Sequence, residues 1–208
     1  MCLFIFGESL KEEITDAGKS DCYICDRNTE FKQVTVKNYF TFFFVRLLPL
    51  NTVSSYLECV VCNTSYTKDS LAEPACFSLL IKVMAYWMAG YGIGDQRERA
   101  SDIFEKLTGK PLDEDRLKKD MRHVEEGLDF QAEAKKQSVG INVKGRIDVL
   151  QLACLITWIC CNRGYEDRLR LNLLATAMGL AIQTVEMADD MIAQKSYFGQ
   201  TRLRELIH

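Results

Sequence analysis

The sequence carries CYIC at 22–25 and CVVC at 59–62, two thiol pairs of identical internal spacing with 33 residues between them. This arrangement constrains the fold more than any other feature. A CxxC on a tight turn presents two sulfurs to one ion, and tetrahedral zinc takes four ligands, with thiolate among the favoured ones. The intervening stretch, which contains KNYFTFFFVRLLPL, is rich in β-branched and aromatic residues and would form the sheet that brings the second pair within reach. Cys22, Cys25, Cys59 and Cys62 are therefore the candidate ligands of one structural Zn(2+) site.

The residue after each pair supports this reading. Such a turn often needs positive φ just past the second cysteine, so that backbone N–H groups point at sulfur, and glycine is the easy choice. Here Asp26 and Asn63 occupy these positions, and Asp and Asn are the non-glycine types that best tolerate that conformation. Tyr23 and Val60 replace the proline often found inside such turns. An iron site of rubredoxin type uses the same ligand set. Thioredoxin-like redox chemistry would place a CxxC at the start of a helix in a βαβ unit, and neither pair precedes a helical pattern.

Nine cysteines in a chain whose opening, MCLFIFGESLKEE, lacks a basic start and a long apolar core point to the cytoplasm. Thiols stay reduced there, so paired cysteines hold metal more often than they form structural disulfides. Two apolar runs, 39–50 and 149–161, are too short for a transmembrane segment, which needs roughly 20 residues. The hydrophobic fraction of 48% and charged fraction of 26% are those of a folded protein. A net charge of -3 and a pI near 5.5 give no global electrostatic reason to bind nucleic acid.

The pattern along the chain predicts an α+β protein, a small β-rich module over 1–68 followed by an all-α helical bundle over 70–195, with 196–208 a tail or short helix. Val34, Val36, Tyr39, residues 40–45 and TVSSYLECVV read as strands, with a turn around Pro49, Leu50 and Asn51. Beyond 70, Leu79, Leu80, Val83, Met84, Trp87 and Met88 mark an amphipathic helix ending near Gly90. A second helix stops at Gly109, and a long charged one runs from Asp113 to about Lys136 with Leu117, Met121, Val124 and Leu128 as its apolar stripe. A loop over 136–146 precedes a helix whose apolar face is Ile147, Leu150, Cys154, Leu155, Trp158 and Ile159, broken at Asn162, Arg163 and Gly164. Further helices span about 166–178, stopping at Gly179, and 182–194. The recurrence of a tryptophan-bearing helix, a Gly-containing turn and a helix ending in Gly reads equally as a duplication and as chance.

LFIFGES, CYIC, the phenylalanine-rich strand FTFFFVRLLPL and YLECVVC together resemble a zinc-ribbon family over residues 1–66. Residues 75–194 resemble, by arrangement, the tellurite-resistance TerB-like helical family: a helical pair, a charged middle helix and a second pair ending in AMGL. That resemblance implies a stress-response or membrane-associated signalling setting and a carboxylate metal site built on an acidic motif after a buried helix. The corresponding turns here read MAGYGIGDQRE and CCNRGYEDR, with Gly90, Tyr91, Asn162 and Arg163 where the acid belongs. Asp95, Glu98, Glu166 and Asp167 stand nearby as substitutes for a hard divalent cation, and dipole preference at helix N-termini accounts for them equally well.

Other residues give weaker leads. His123 sits in a charged helix and His208 at the end of the chain, with no nucleophile paired to either. Cys154, Cys160 and Cys161 read as small core hydrophobes, and Cys2 and Cys76 have no partner at metal spacing. Residues 40–44 read as a packing face, or as a base-stacking platform if basic residues adjoined them. The expectation is a non-enzymatic zinc-binding protein with a protein partner. The alternatives are a nucleic-acid-binding ribbon using Lys32, Lys37 and Arg46, and a divalent-metal enzyme using the acids of the helical part.

Overall fold

The computed structural model describes residues 6–43, 45–91, 97–160 and 164–193. Phe44, Asp95, Asn162, Arg163, Cys2, Cys161, His208, the opening LFI and the segment 196–208 lie outside them. The fold is α+β, with four antiparallel strands followed by helices. The chain forms two compact units: the first comprises Met1–Ala75 and Val139–Asn142, the second Cys76–Ser138 and Val143–His208.

In the first unit, strands β1 (Phe6–Cys22), β2 (Arg27–Phe42), β3 (Val45–Cys59) and β4 (Ser65–Tyr66) pair in chain order. Three of them are 15 to 17 residues long, about three times the usual strand. Because β2 leads away from its first turn and β3 returns by almost the same length, the β1–β2 and β3–β4 turns lie at one end of the sheet. That symmetry brings 22–25 beside 59–62. Direct cross-strand partners share a face, and Ile14, Val34 and Tyr56 form one row, as do Glu8, Phe40 and Leu48. The rows between, such as Glu13, Thr35 and Ser55, point to the other face.

The turn predicted around Pro49 is not there. The β2–β3 reversal comes at Phe43, which takes φ +46°, and residues 49–51 continue β3. Pro49 fits a strand because the register slips on both sides of its pairing with Tyr39, leaving Leu47 and Leu50 as extra residues. A bulge is where a strand tolerates a residue without an N–H. A further bulge in β1 carries Gly18 at φ +79°, its N–H donating to Asp16 Oδ1 at 2.8 Å.

In the second unit the described helices are α1 (Phe77–Tyr91), α2 (Arg97–Thr108), α3 (Glu114–Glu125), α4 (Phe130–Ser138), α5 (Val143–Cys160), α6 (Tyr165–Ala177) and α7 (Gln183–Ala193). α1 packs on α3 and α5. Buried side chains include Leu79, Leu80, Met84, Trp87, Phe104 and Leu150, and Tyr86 stacks on Phe130 at 4.2 Å. The long charged helix of the sequence reading is two helices. Gly127 takes φ +94°, Leu128 N–H donates to His123 O at 3.1 Å, and Asp129 Oδ1 caps α4 by accepting from Ala132 N–H at 3.0 Å. The loop is shorter than 136–146, since α4 runs to Ser138 and Val143 opens α5. Trp158, expected on the buried face, is 41% exposed, whereas Trp87 is buried. Among the described residues no helix is long and apolar enough to cross a membrane.

Candidate metal centre

Each cysteine pair lies where a long strand ends. Cys22 closes β1 and Cys59 closes β3, so both inherit the inward orientation of the strand and are fully buried. Cys25 and Cys62 follow on the turns and are half-buried. Both turns have one geometry: Asp26 N–H donates to Cys22 O at 2.8 Å, and Asn63 N–H to Cys59 O at 2.9 Å. Asp26 and Asn63 both adopt φ +54°, as their side-chain types foretell. Cys25 N–H in turn points at Cys22 Sγ, 3.4 Å away.

The four Sγ atoms lie within 4.8 Å of one another, with Cys22 to Cys62 at 3.7 Å and Cys25 to Cys59 at 3.9 Å. A disulfide needs about 2.05 Å. Four sulfurs each about 2.3 Å from one tetrahedral zinc stand about 3.8 Å apart. The measured separations therefore fit a single ion and not a pair of crosslinks. Softness of the donor set selects zinc or iron over hard cations.

Hydroxyl groups complete the surroundings. Thr29 Oγ1 lies 3.2 Å from Cys59 Sγ, and Tyr66 Oη lies 3.2 Å from Cys22 Sγ while accepting from Ile24 N–H at 3.4 Å. Burial, reinforced by the neighbouring Cys22 thiol, raises the Tyr66 pKa, so the phenol keeps its proton and can donate it to sulfur. Phe31 packs edge-on against Tyr66 with ring centroids 5.6 Å apart, and these two rings with Cys22 and Cys59 form the local core. Neither hydroxyl partner is visible from spacing, because each depends on cross-strand register.

The thiols are electrostatically divided. Burial alone would raise Cys59, but the Thr29 hydroxyl, the N–H groups of Cys62 and Val61 and the Cys22 thiol together bring it down to about 6. Burial and the adjacent thiols push Cys25 up, and burial pushes Cys62 up against the Thr64 hydroxyl. Four sulfurs this close cannot all ionise unaided. A divalent cation is what would let them do so.

Residues 20–101 match a zinc-ribbon family. The match spans both cysteine pairs and β2 to β4. No curated protein matches the chain, and no solved structure does.

The other candidate ligands do not converge. Among the described residues, Cys22, Cys25, Cys59 and Cys62 are the one cluster of three or more metal-binding side chains. Glu98 and Glu166 are exposed in the first turns of α2 and α6. Asp167 is buried and structural: it accepts from Gly164 N–H at 2.9 Å at the start of α6 and from the Tyr91 hydroxyl. His123 stands 3.7 Å from Asp120, which pairs with Lys82 at 3.0 Å. Cys76 and Cys154 are buried.

Proposed function

We propose that this chain is a zinc-binding, non-enzymatic interaction protein of the cytoplasm, in which Cys22, Cys25, Cys59 and Cys62 hold one structural Zn(2+). The observation that carries the reading is the sulfur geometry, with separations of 3.7 and 3.9 Å at the end of a long sheet. When bound, zinc would supply folding energy and not reactivity. Four thiolates close its tetrahedral shell, and a catalytic zinc keeps an open position. Thr29 and Tyr66 would orient the sulfurs and stabilise their charge, as outer partners of metal ligands commonly do.

In this reading the helical unit is TerB-like and scaffolds recognition of a protein partner in a stress-related setting. Its support is the sequence resemblance over 75–194 alone, in which the charged middle helix corresponds to α3 and α4. Asp167 is engaged in capping α6, so the hard-cation site of the resembling family is not part of the proposal.

Elemental analysis of pure protein tests the metal assignment. One zinc per chain is expected, with Cys25→Ser or Cys62→Ser retaining well below that amount. Iron in place of zinc, or no metal at all, would reject it. A hydrolytic activity that survives purification and is lost on Glu166→Gln would reject the non-enzymatic assignment.

A further inference from the structure

The long sheet has two chemically different faces. On one, the rows descending from Ile14 through Glu12, Leu10 and Glu8 continue across Val34, Val36, Asn38, Phe40 and Phe42. On β3 the same face shows Val45 and Leu48. Near the cysteines this face is covered within the first unit: Ser54 donates to Val139 O, and Asn142 Nδ2 donates to Glu58 Oε2 at 2.7 Å. Val34 and Tyr56 are buried there. Further along, the same face is open. Leu10, Ile14, Val45 and Leu48 are each 58 to 63% exposed, more than isolated surface apolar residues require.

The charges along this face are mostly acidic. Its ionisable side chains are Glu8, Glu12, Asp16, Lys19, Asp21, Glu30, Lys32 and Glu58, with Lys32 engaged by Glu58 at 2.7 Å and Lys19 by Glu30 at 3.7 Å. Glu8, Glu12 and Asp16 therefore form an acidic rim along β1, interleaved with Leu10 and Ile14. The opposite face carries Lys11, Lys37 and Arg46, with Glu13 held by Lys37 at 2.7 Å. An anionic lipid surface or a nucleic acid would meet the acidic rim unfavourably. A second copy docked by the same face with β1 on β1 would set rim against rim.

Three strands span about 14 Å, close to the width of one α-helix. Along β1 the exposed stretch from Glu8 to Ile14 runs about 20 Å, the length of a helix of about 14 residues, and across β2 and β3 the face is open in the rows of Phe40 with Leu48 and of Asn38 with Asn51. We infer that the open half of this face binds a basic amphipathic helix of a protein partner, its apolar side on Phe40, Leu10 and Leu48 and its Lys or Arg side chains on Glu8 and Glu12. The inference rests on the reading of the chain as an interaction protein, and it names the chemistry of the partner. Pro49 and the three bulges of β3 disfavour the other way a sheet takes a peptide, strand addition at this edge.

The test uses the full zinc-loaded chain and a labelled helical peptide of about 14 residues with Leu on one side and Lys on the other. Fluorescence anisotropy should show saturable binding that weakens with salt, and a peptide with Glu in place of Lys should bind at least about tenfold more weakly. Leu48→Asp or Leu10→Asp, both at exposed positions, should abolish binding. Glu12→Gln should weaken it several-fold, while Thr15→Lys, the same change in net charge on the opposite face, should leave it unchanged. Equal effects of Glu12→Gln and Thr15→Lys, or no effect of Leu48→Asp, would overturn the assignment. So would sedimentation with vesicles, or dimerisation, that Leu48→Asp eliminates. A chain that holds its zinc yet binds no peptide sinks the helix proposal alone, whereas a chain without zinc sinks the ribbon reading as well.

Discussion

Asn63 and Asp26 each follow a cysteine pair at φ +54°. At this conformation glycine is unstrained, asparagine and aspartate are tolerated, and a β-branched side chain collides with its own backbone. The hydrogen bond from Asn142 Nδ2 at 2.8 Å reaches the Asn63 carbonyl, not its side chain, and so survives substitution. Asn63→Gly should therefore leave stability within about 0.5 kcal/mol, while Asn63→Val should cost about 1 to 2 kcal/mol. Urea denaturation of the zinc-loaded protein measures both, and a Val variant as stable as the parent would show that the turn is not left-handed in solution. These positions were legible in the sequence because ligand type, spacing and turn conformation are all local. Thr29 and Tyr66 were not, since a hydroxyl on one strand meets a sulfur on another only once the register is set.

The helices ending at Gly109 and Gly179 follow directly from sequence, since a glycine just past an apolar stripe is a common helix stop. The same signal stands at Gly127, yet charged residues at helical spacing on both sides conceal it. The structure resolves the ambiguity with paired bonds, Gly127 N–H to Val124 O at 3.0 Å and Leu128 N–H to His123 O at 3.1 Å, the Schellman arrangement. A substitution separates the two readings by sign. In a continuous helix Gly127→Ala would stabilise by about 1 kcal/mol, whereas at φ +94° it should destabilise by about 1 to 2 kcal/mol. Thermal unfolding of the variant decides between them. The misplaced turn at Pro49 has the opposite origin. A strong local breaker was read as a turn, but a bulge accommodates Pro49 within β3, and the reversal at Phe43 carries no glycine or asparagine to announce it.

At the scale of the whole molecule, the two units differ in what holds them together. The local core beside the cysteines is Cys22, Phe31, Cys59 and Tyr66, two of them candidate ligands. Burying two aromatic side chains contributes only a few kcal/mol, against about 10 to 16 kcal/mol for structural zinc in small zinc-finger peptides. The helical unit buries Leu79, Leu80, Met84, Trp87, Phe104 and Leu150 without help from a metal-binding cluster among its described residues. Removing zinc with a strong chelator should therefore erase amide protection along β2 and β3 while the helical far-ultraviolet signal persists. The segment Val139–Asn142 makes the sharper test. Sequence shows it only as a link between helices, because its attachment is tertiary: Asn142 N–H donates to Ser65 Oγ at 3.1 Å, and Asn142 Nδ2 reaches Glu58 Oε2 and Asn63 O. All three partners flank the second cysteine pair. On chelation, hydrogen exchange should show the Asn142 amide losing protection together with β2 and β3. Protection that instead outlasts theirs, alongside the amides of α5, would show that this segment does not depend on the metal-held fold.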